Sequence, residues 1–197
     1  MTSVRLDRMA AALVSRPSIY ALVQTIAGQG RVAGRLRDAL AALPPGRLLD
    51  VGSAEGGFAS RLGRDPVFID LDPRPLAALR RRGRGSRAAA ADAASLPFPD
   101  RAFDVSVCVA VSHHLDDPQF EKVVAELGRV TSGTLLFLDA LRNDGRALSR
   151  WLWRYDRGRH PRTLPQLSGA LERRFRLLEK REFTIYHQYV LWVASPL

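Results

Sequence analysis

Leu48-Leu49-Asp50-Val51-Gly52-Ser53-Ala54-Glu55-Gly56-Gly57-Phe58 carries an apolar strand into a carboxylate, then into a glycine-rich turn and the start of a helix. An α/β domain builds a nucleotide pocket in this way. Glycines at 52 and 56 let backbone approach a ligand without an intervening Cβ, and a helix beginning near Glu55 aims its free N–H groups into the same space. A dinucleotide site shows G-x-G-x-x-G over a pyrophosphate, whereas here an acid stands two residues before the first glycine. Asp50 would repel a pyrophosphate and suits an ammonium group.

Three further segments follow in order. Val67-Phe68-Ile69-Asp70-Leu71-Asp72-Pro73 reads as a second strand ending in an acid, and Asp70 follows Asp50 by the ~20 residues expected of a carboxylate that closes on ribose hydroxyls. Asp92-Ala93-Ala94-Ser95-Leu96-Pro97-Phe98-Pro99-Asp100 precedes Phe103-Asp104 and a fourth strand, and Val111-Ser112-His113-His114-Leu115 follows that strand. Taken together, roughly residues 46 to 140 resemble the class I S-adenosylmethionine (SAM) methyltransferases. Asp50 to Gly56 matches their D-x-G-x-G-x-G motif, and the His-His-Leu segment resembles the branch acting on small molecules. Four motifs in order are far more specific than one glycine loop.

The resemblance implies SAM as cofactor, with S-adenosylhomocysteine as product. Its pocket would be formed by Asp50, Gly52, Ser53, Ala54, Gly56, Asp70, Leu71, Asp92, Ala93 and Ala110, with Leu71 against the adenine and Asp92 accepting from the adenine amino group. One position departs from the family pattern: Ala54 replaces the middle glycine of the first motif. Alanine is the smallest replacement and is expected to hold an ordinary backbone conformation with negative φ. A glycine turn serving only strand-helix packing would not need Asp50, Asp70 and Asp92 at the ends of three successive strands.

Composition agrees with a single domain. The 197 residues are 46% hydrophobic, enough for a full core, and no Pro/Gly/Ser linker divides them. We expect a helical lid at 1–45, a SAM-binding core at 46–140, and a substrate-side insert with a C-terminal hairpin at 141–197. Cys108 is the only cysteine and sits in an apolar strand, which excludes disulfides within the chain and fits a reducing, cytoplasmic setting. No segment reads as a signal peptide or reaches transmembrane length. The net charge of +10 comes almost wholly from arginine, since Lys122 and Lys180 are the only lysines. The run Arg80, Arg81, Arg82, Arg84 and Arg87 reads equally as a phosphate grip or as a solvated helix end.

Apolar periodicity predicts helices at 6–27 and 31–42, ahead of strands near 47–51, 66–70, 87–91, 104–110, 133–139, 176–184 and 187–194. Helices between most of the first five strands imply a Rossmann-like, doubly wound α/β fold with helices on both faces of a mostly parallel sheet. The gap at Ile185 and Tyr186 is too short for a crossover helix, so the last two strands should form an antiparallel hairpin.

The chemistry expected of the resemblance is displacement at a sulfonium methyl. The protein would position the acceptor and, for an oxygen acceptor, take up its proton. His113 and His114 are the candidates for that work, because imidazole titrates near neutrality. The alternative is that the pair only structures its loop. Substrate contacts are expected from Tyr20 in the lid and from Trp153, Tyr155, Arg159, His160 and Arg162 in the insert. Rings there offer apolar contact and arginine forks can hold an anion. Packing of the insert on the sheet is the competing reading of those residues.

The expected acceptor is therefore small, aromatic or lipid-like, and anionic. Two other functions compete: a nucleic-acid methyltransferase, suggested by the charge, and a SAM-binding regulator without activity, suggested by Ala54. The two lysines do not supply the lysine-rich set of the ribose methyltransferases, so nucleic acid is disfavoured. No membrane span is expected, although one face of Met9 to Ile26 is apolar enough to lie on lipid. Metal dependence is not expected. Asp116, Asp117, Asp139, Asn143 and Asp144 follow the fourth and fifth strands, but Asp116-Asp117-Pro118 reads as a helix start.

Overall fold

The computed structural model describes residues 30–54, 59, 66–83, 87–153 and 158–197. The expected helix at 6–27, with Tyr20, lies outside these residues, as do Gly56 and Tyr155. Helix α1 (Gly30–Ala41) leads into β1 (Leu48–Val51), β2 (Val67–Asp70), α2 (Pro73–Arg81), β3 (Ala88–Ala90) and β4 (Phe103–Val109). A 3-10 turn (Ser112–His114), α3 (Asp117–Val130) and β5 (Thr131–Leu141) follow. Then come α4 (Ala147–Trp153), α5 (Leu164–Leu171), β6 (Phe175–Thr184) and β7 (Gln188–Pro196).

The sheet runs β3-β2-β1-β4-β5-β7-β6. Strands β1 to β5 pair in parallel, and β7 lies antiparallel between β5 and β6. This is the expected doubly wound sheet with a reversed final strand. Strand order changes direction between β1 and β4, so their carboxyl ends open a crevice where ligands bind in such sheets.

Alternation along the central strands feeds two cores. Leu49, Val51, Cys108, Leu135, Phe137 and Trp192 pack on one face with Phe120, Val124 and Leu127 of α3 and Leu167 of α5. Leu48, Val105, Val107, Leu136, Leu138 and Leu191 pack on the other with Leu36 and Leu40 of α1 and Leu76 and Leu79 of α2. Both faces are thus covered, as a central parallel sheet requires.

Helix starts are well signalled. The Asp116 side chain accepts from the Gln119 backbone N–H at 2.8 Å, and the Gln119 side chain returns a bond to the Asp116 N–H at 3.2 Å, a reciprocal cap with proline in the first turn. Arg80 and Arg81 fall in the last turn of α2, where the helix dipole favours cations, and Arg80 Nη2 donates to the Ala88 carbonyl. The outer strand β6 exposes Arg176, Glu179, Lys180, Arg181 and Glu182, charges that discourage edge-to-edge pairing.

Candidate functional site

At the end of β1 the chain turns through Gly52 with φ +69°, and the N–H groups of Gly52 and Ser53 both donate to the Ile69 carbonyl, at 2.8 and 3.1 Å. A Cβ at position 52 would stand 2.2 Å from Val111 Cγ2, across the crevice, so only glycine fits. Ser53 is buried, and its hydroxyl finds no hydrogen-bond partner among the described residues. An orphaned hydroxyl beside a glycine turn at the switch point is what a ligand's polar group would satisfy.

Ala54 corrects the sequence reading. Its φ is +45°, the left-handed region, because its N–H must face the Asp70 carboxylate and donates to Oδ2 at 2.8 Å. The turn keeps its glycine geometry and the alanine carries the strain. Ala54→Gly is therefore expected to stabilise the protein by about 1 kcal/mol, measured by chemical denaturation. No gain would mean that the strain lies elsewhere.

The three carboxylates lie at the ends of β1, β2 and β3, as expected. Asp50 is 5% exposed, and burial first, then the Asp70 charge, pushes its pKa up to about 7. Asp70 accepts the Asp72 and Ala54 N–H groups on its two oxygens. Leu71, beside it, is 76% exposed, an apolar side chain left uncovered at the crevice edge. Asp92 is exposed and accepts the Ala94 N–H at 2.8 Å, while Ala93 is half-buried. Arg129 stitches the loop beyond them to α3 by donating to the Leu96 and Phe98 carbonyls and the Asp100 carboxylate. Ala110, at the end of β4, has φ +57° and donates its N–H to the Leu138 carbonyl at 2.8 Å.

A second cluster occupies the ends of β4 and β5. Asp139 is fully buried, and its carboxylate accepts from four groups. These are the Ser112 N–H at 2.8 Å, the Ser112 hydroxyl at 2.6 Å, the Ala140 N–H at 2.7 Å and His113 Nδ1 at 2.6 Å. Burial alone would raise the Asp139 pKa. The His113 charge and the bonds from His113, Ser112 and Ala140 outweigh it and hold the group below the usual carboxylate range. An ionised Asp139 requires a proton on Nδ1 of His113, so that in the neutral ring the lone pair would be on Nε2. The His114 ring is exposed, 4.2 Å from that of His113, and Trp153 meets His113 edge-on at 5.6 Å.

The insert closes over this cluster. A Cβ at Gly158 would lie 2.1 Å from His113 Cδ2, and the His160 N–H donates to the His113 carbonyl at 2.9 Å. At the neck of the insert the Arg142 N–H donates to the Arg162 carbonyl at 2.8 Å. Arg162 is placed otherwise than expected. Its guanidinium is buried, stacks over Phe120 at 4.5 Å, and donates to the Ser112, Leu115 and His160 carbonyls and the Asp117 carboxylate. It clasps the histidine turn instead of facing an acceptor. Arg159 and His160 are exposed.

Asp139, weighed from sequence only as a metal ligand, emerges as the partner of His113. The one signal available was an acid inside the apolar run Leu135-Leu136-Phe137-Leu138 to Leu141. Ser149, whose hydroxyl lies 2.7 Å from His187 Nδ1 beneath Trp153, had no local signal. Among the described residues no three His, Cys, Asp or Glu side chains are grouped to hold a metal ion, and no helix is long and apolar enough to cross a membrane.

The residues of the crevice fit an adenosyl ligand with a cationic amino end. Residues 49–137 match the methyltransferase domain family. A demethylmenaquinone methyltransferase from Thermus thermophilus is 37% identical over 107 residues, 48% of this chain and 47% of that protein. A fatty-acid O-methyltransferase from Mycolicibacterium smegmatis is 37% identical over 103 residues, 48% of this chain and 37% of that protein. The chain thus matches less than half the length of these curated relatives. A solved SAM-dependent methyltransferase from Thermotoga maritima, described as a possible histamine N-methyltransferase, shares the fold at 18% identity. Its TM-score is 0.71, covering 93% of this chain and 98% of the other. Sequence motifs, sheet order and matched segment agree: residues 49–137, a little under half of the chain, match the methyltransferase domain family, and the sheet around them has the fold of the solved SAM-dependent methyltransferase.

Proposed function

We propose that the chain transfers a methyl group from SAM to a small aromatic or lipid-like acceptor. The observation that carries this is the turn at the switch point, where buried Asp50, positive-φ Gly52 and the unpartnered Ser53 hydroxyl adjoin Asp70. Asp50 would hold the ammonium of the cofactor, Asp70 its ribose hydroxyls, Leu71 the adenine face and Asp92 the adenine amino group. SAM supplies an electrophilic sulfonium methyl. His113 takes the proton of an acceptor hydroxyl on Nε2, and Asp139 fixes the tautomer and stabilises the imidazolium that results. Gly158 and Trp153 hold the ring against rotation. His114, exposed beside it, orients the acceptor.

The demethylmenaquinone and fatty-acid enzymes among the relatives support an apolar acceptor. The regulator reading loses ground because Ala54 preserves the glycine-like turn. The cytoplasm is the proposed location, in keeping with a buried Cys108 whose thiol pKa is raised by burial first and then by the Asp139 and Asp50 charges.

Calorimetric titration with SAM, S-adenosylhomocysteine and NAD tests the cofactor reading. Both adenosyl ligands are expected to bind on the order of micromolar and NAD not at all, and Asp70→Ala to lose about tenfold or more in affinity. Folded protein that binds neither adenosyl ligand would overturn the proposal. Methyl transfer to a panel of phenols, quinols and fatty acids tests the acceptor class, and transfer to RNA alone would refute it.

A further inference from the structure

Just past the end of β5 a cavity of about 260 Å³ is lined by Arg142, Asn143, Asp144, Arg150, Trp153 and Pro161. Its polar groups are unevenly committed. Arg142 gives Nε and Nη2 to the Asp144 carboxylate at 3.0 to 3.2 Å, and Arg150 gives Nη1 to the Asp144 carbonyl. The Arg142 Nη1 group and the Arg150 Nε and Nη2 groups enter no hydrogen bond among the described residues. Asn143 is spent at both ends, donating to the Gln188 side chain at 2.8 Å and accepting the Gly145 N–H at 3.0 Å. The buried indole N–H of Trp153 also finds no acceptor among the described residues.

Two arginines face one carboxylate, so the lining carries a surplus positive charge, and the uncommitted guanidinium nitrogens of Arg142 and Arg150 are donors. Such a lining selects an oxyanion, and planar guanidinium edges hold carboxylate or phosphate oxygens in two-point fashion. The Trp153 ring is shared, lining the cavity and meeting His113 edge-on at 5.6 Å. We infer that this cavity is the anion subsite of the acceptor, with Arg142 and Arg150 holding a carboxylate or phosphate while the body of the same molecule lies along Trp153 toward His113. The inference rests on the reading of His113 as the acceptor's base, and it assigns to Arg142 and Arg150 the role that sequence had given to Arg159 and Arg162.

The test is binding of matched pairs to the full chain by equilibrium dialysis: octanoate against octanamide, octyl phosphate against octanol, and indole acetate against indole acetamide. At least one anion is expected to bind about tenfold or more tightly than its neutral partner, and Arg142→Gln and Arg150→Gln each to remove most of that preference. Arg150→Lys, which keeps the charge but not the fork, should retain part of it. The octanoate and octyl phosphate arms tell a carboxylate site from a phosphate site. Both arginines are exposed and the Arg142–Asp144 pair is a surface one, so melting temperature should hold in each variant. Equal binding of anions and neutral partners, no binding of any pair, or a preference that survives in the double variant would overturn the inference. SAM calorimetry on the same proteins separates the two readings. Unchanged SAM affinity with lost anion preference supports the subsite. Anion preference in a wild type that does not bind SAM would sink the methyltransferase reading and leave the anion site standing.

Discussion

Asp139→Asn is expected to lower turnover by about 10²- to 10⁴-fold while leaving SAM affinity within about twofold of wild type. Asparagine matches aspartate in shape but cannot accept from the Ser112 N–H, the Ser112 hydroxyl, the Ala140 N–H and His113 Nδ1 together. With the charge gone, Nδ1 no longer has to carry the proton, and the imidazolium formed when an acceptor is deprotonated loses its counter-ion. Asp139 touches no acceptor in this scheme. It is a positioning residue, so the diagnostic is the pattern of loss: kcat falls, and the acid limb of its pH profile moves to lower pH, because an imidazolium without its counter-ion gives up its proton more readily. A purely structural role would instead lower SAM affinity together with activity; the melting temperature falls in either case, because a stabilising carboxylate is lost, and does not discriminate. The acid limb of stability has a definite sign. Asp139 has a lowered folded pKa, so its stabilising contribution is present above the ordinary carboxylate value and is lost as pH falls through the folded value.

The second large effect concerns SAM affinity and pH. Burial, then the Asp70 charge, raises the Asp50 pKa to about 7, so the ligand-free protein holds a proton there under mildly acidic conditions. A cationic amino group favours the carboxylate, so binding must expel that proton. SAM affinity should therefore rise about tenfold per pH unit up to about pH 7 and then level off. It should decline again once the ligand's own ammonium deprotonates above about pH 8. Asp50→Asn should bind weakly with no rise below neutrality. Calorimetry between about pH 5.5 and about pH 8.5 decides it, and an affinity independent of pH in the wild type would mean that Asp50 does not face the amino group. The same shift acts oppositely on the free fold. A raised carboxyl pKa contributes stability below the unfolded value near 3.8 that is lost as pH rises through about 7. Asp50 thus weakens the ligand-free domain near neutrality while preparing it for a cation.

The sheet was legible because each strand carries its own signal. Four of the five parallel strands read as apolar runs ended by glycine or acid, β4 running instead into Ala110-Val111-Ser112, and the interval after Thr184 was too short for anything but a hairpin, as β6 and β7 show. Asp50, Gly52 and Asp70 were legible for a related reason, since a switch point gathers the residues that follow successive strands. What escaped depends on contacts between segments distant in the chain. Nothing near Arg162 reveals that its guanidinium serves the Ser112 and Leu115 carbonyls and Asp117. Asp139 and His113 are joined only because β4 and β5 are neighbours, with Cys108 beside Phe137 and Val109 beside Leu138. The φ of Ala54 was misjudged because a residue type states what a backbone prefers, while Asp70 dictates what it must do.

The bond from the Arg142 N–H to the Arg162 carbonyl, with the Arg162 side chain clasped on the histidine turn, fixes both ends of the insert whatever lies between them. Closing a loop at its neck removes most of the entropy its length would otherwise cost, and longer loops add little more. The segment between those anchors is therefore expected to tolerate replacement without loss of the fold, which the melting temperature of chimaeras would check. A graft would keep the neck, Trp153 against the His113 ring, a glycine where Gly158 passes over His113, and the backbone N–H of residue 160 on the His113 carbonyl. The neck bond and the two contacts on His113 thus set the limits within which the segment's sequence is free to vary.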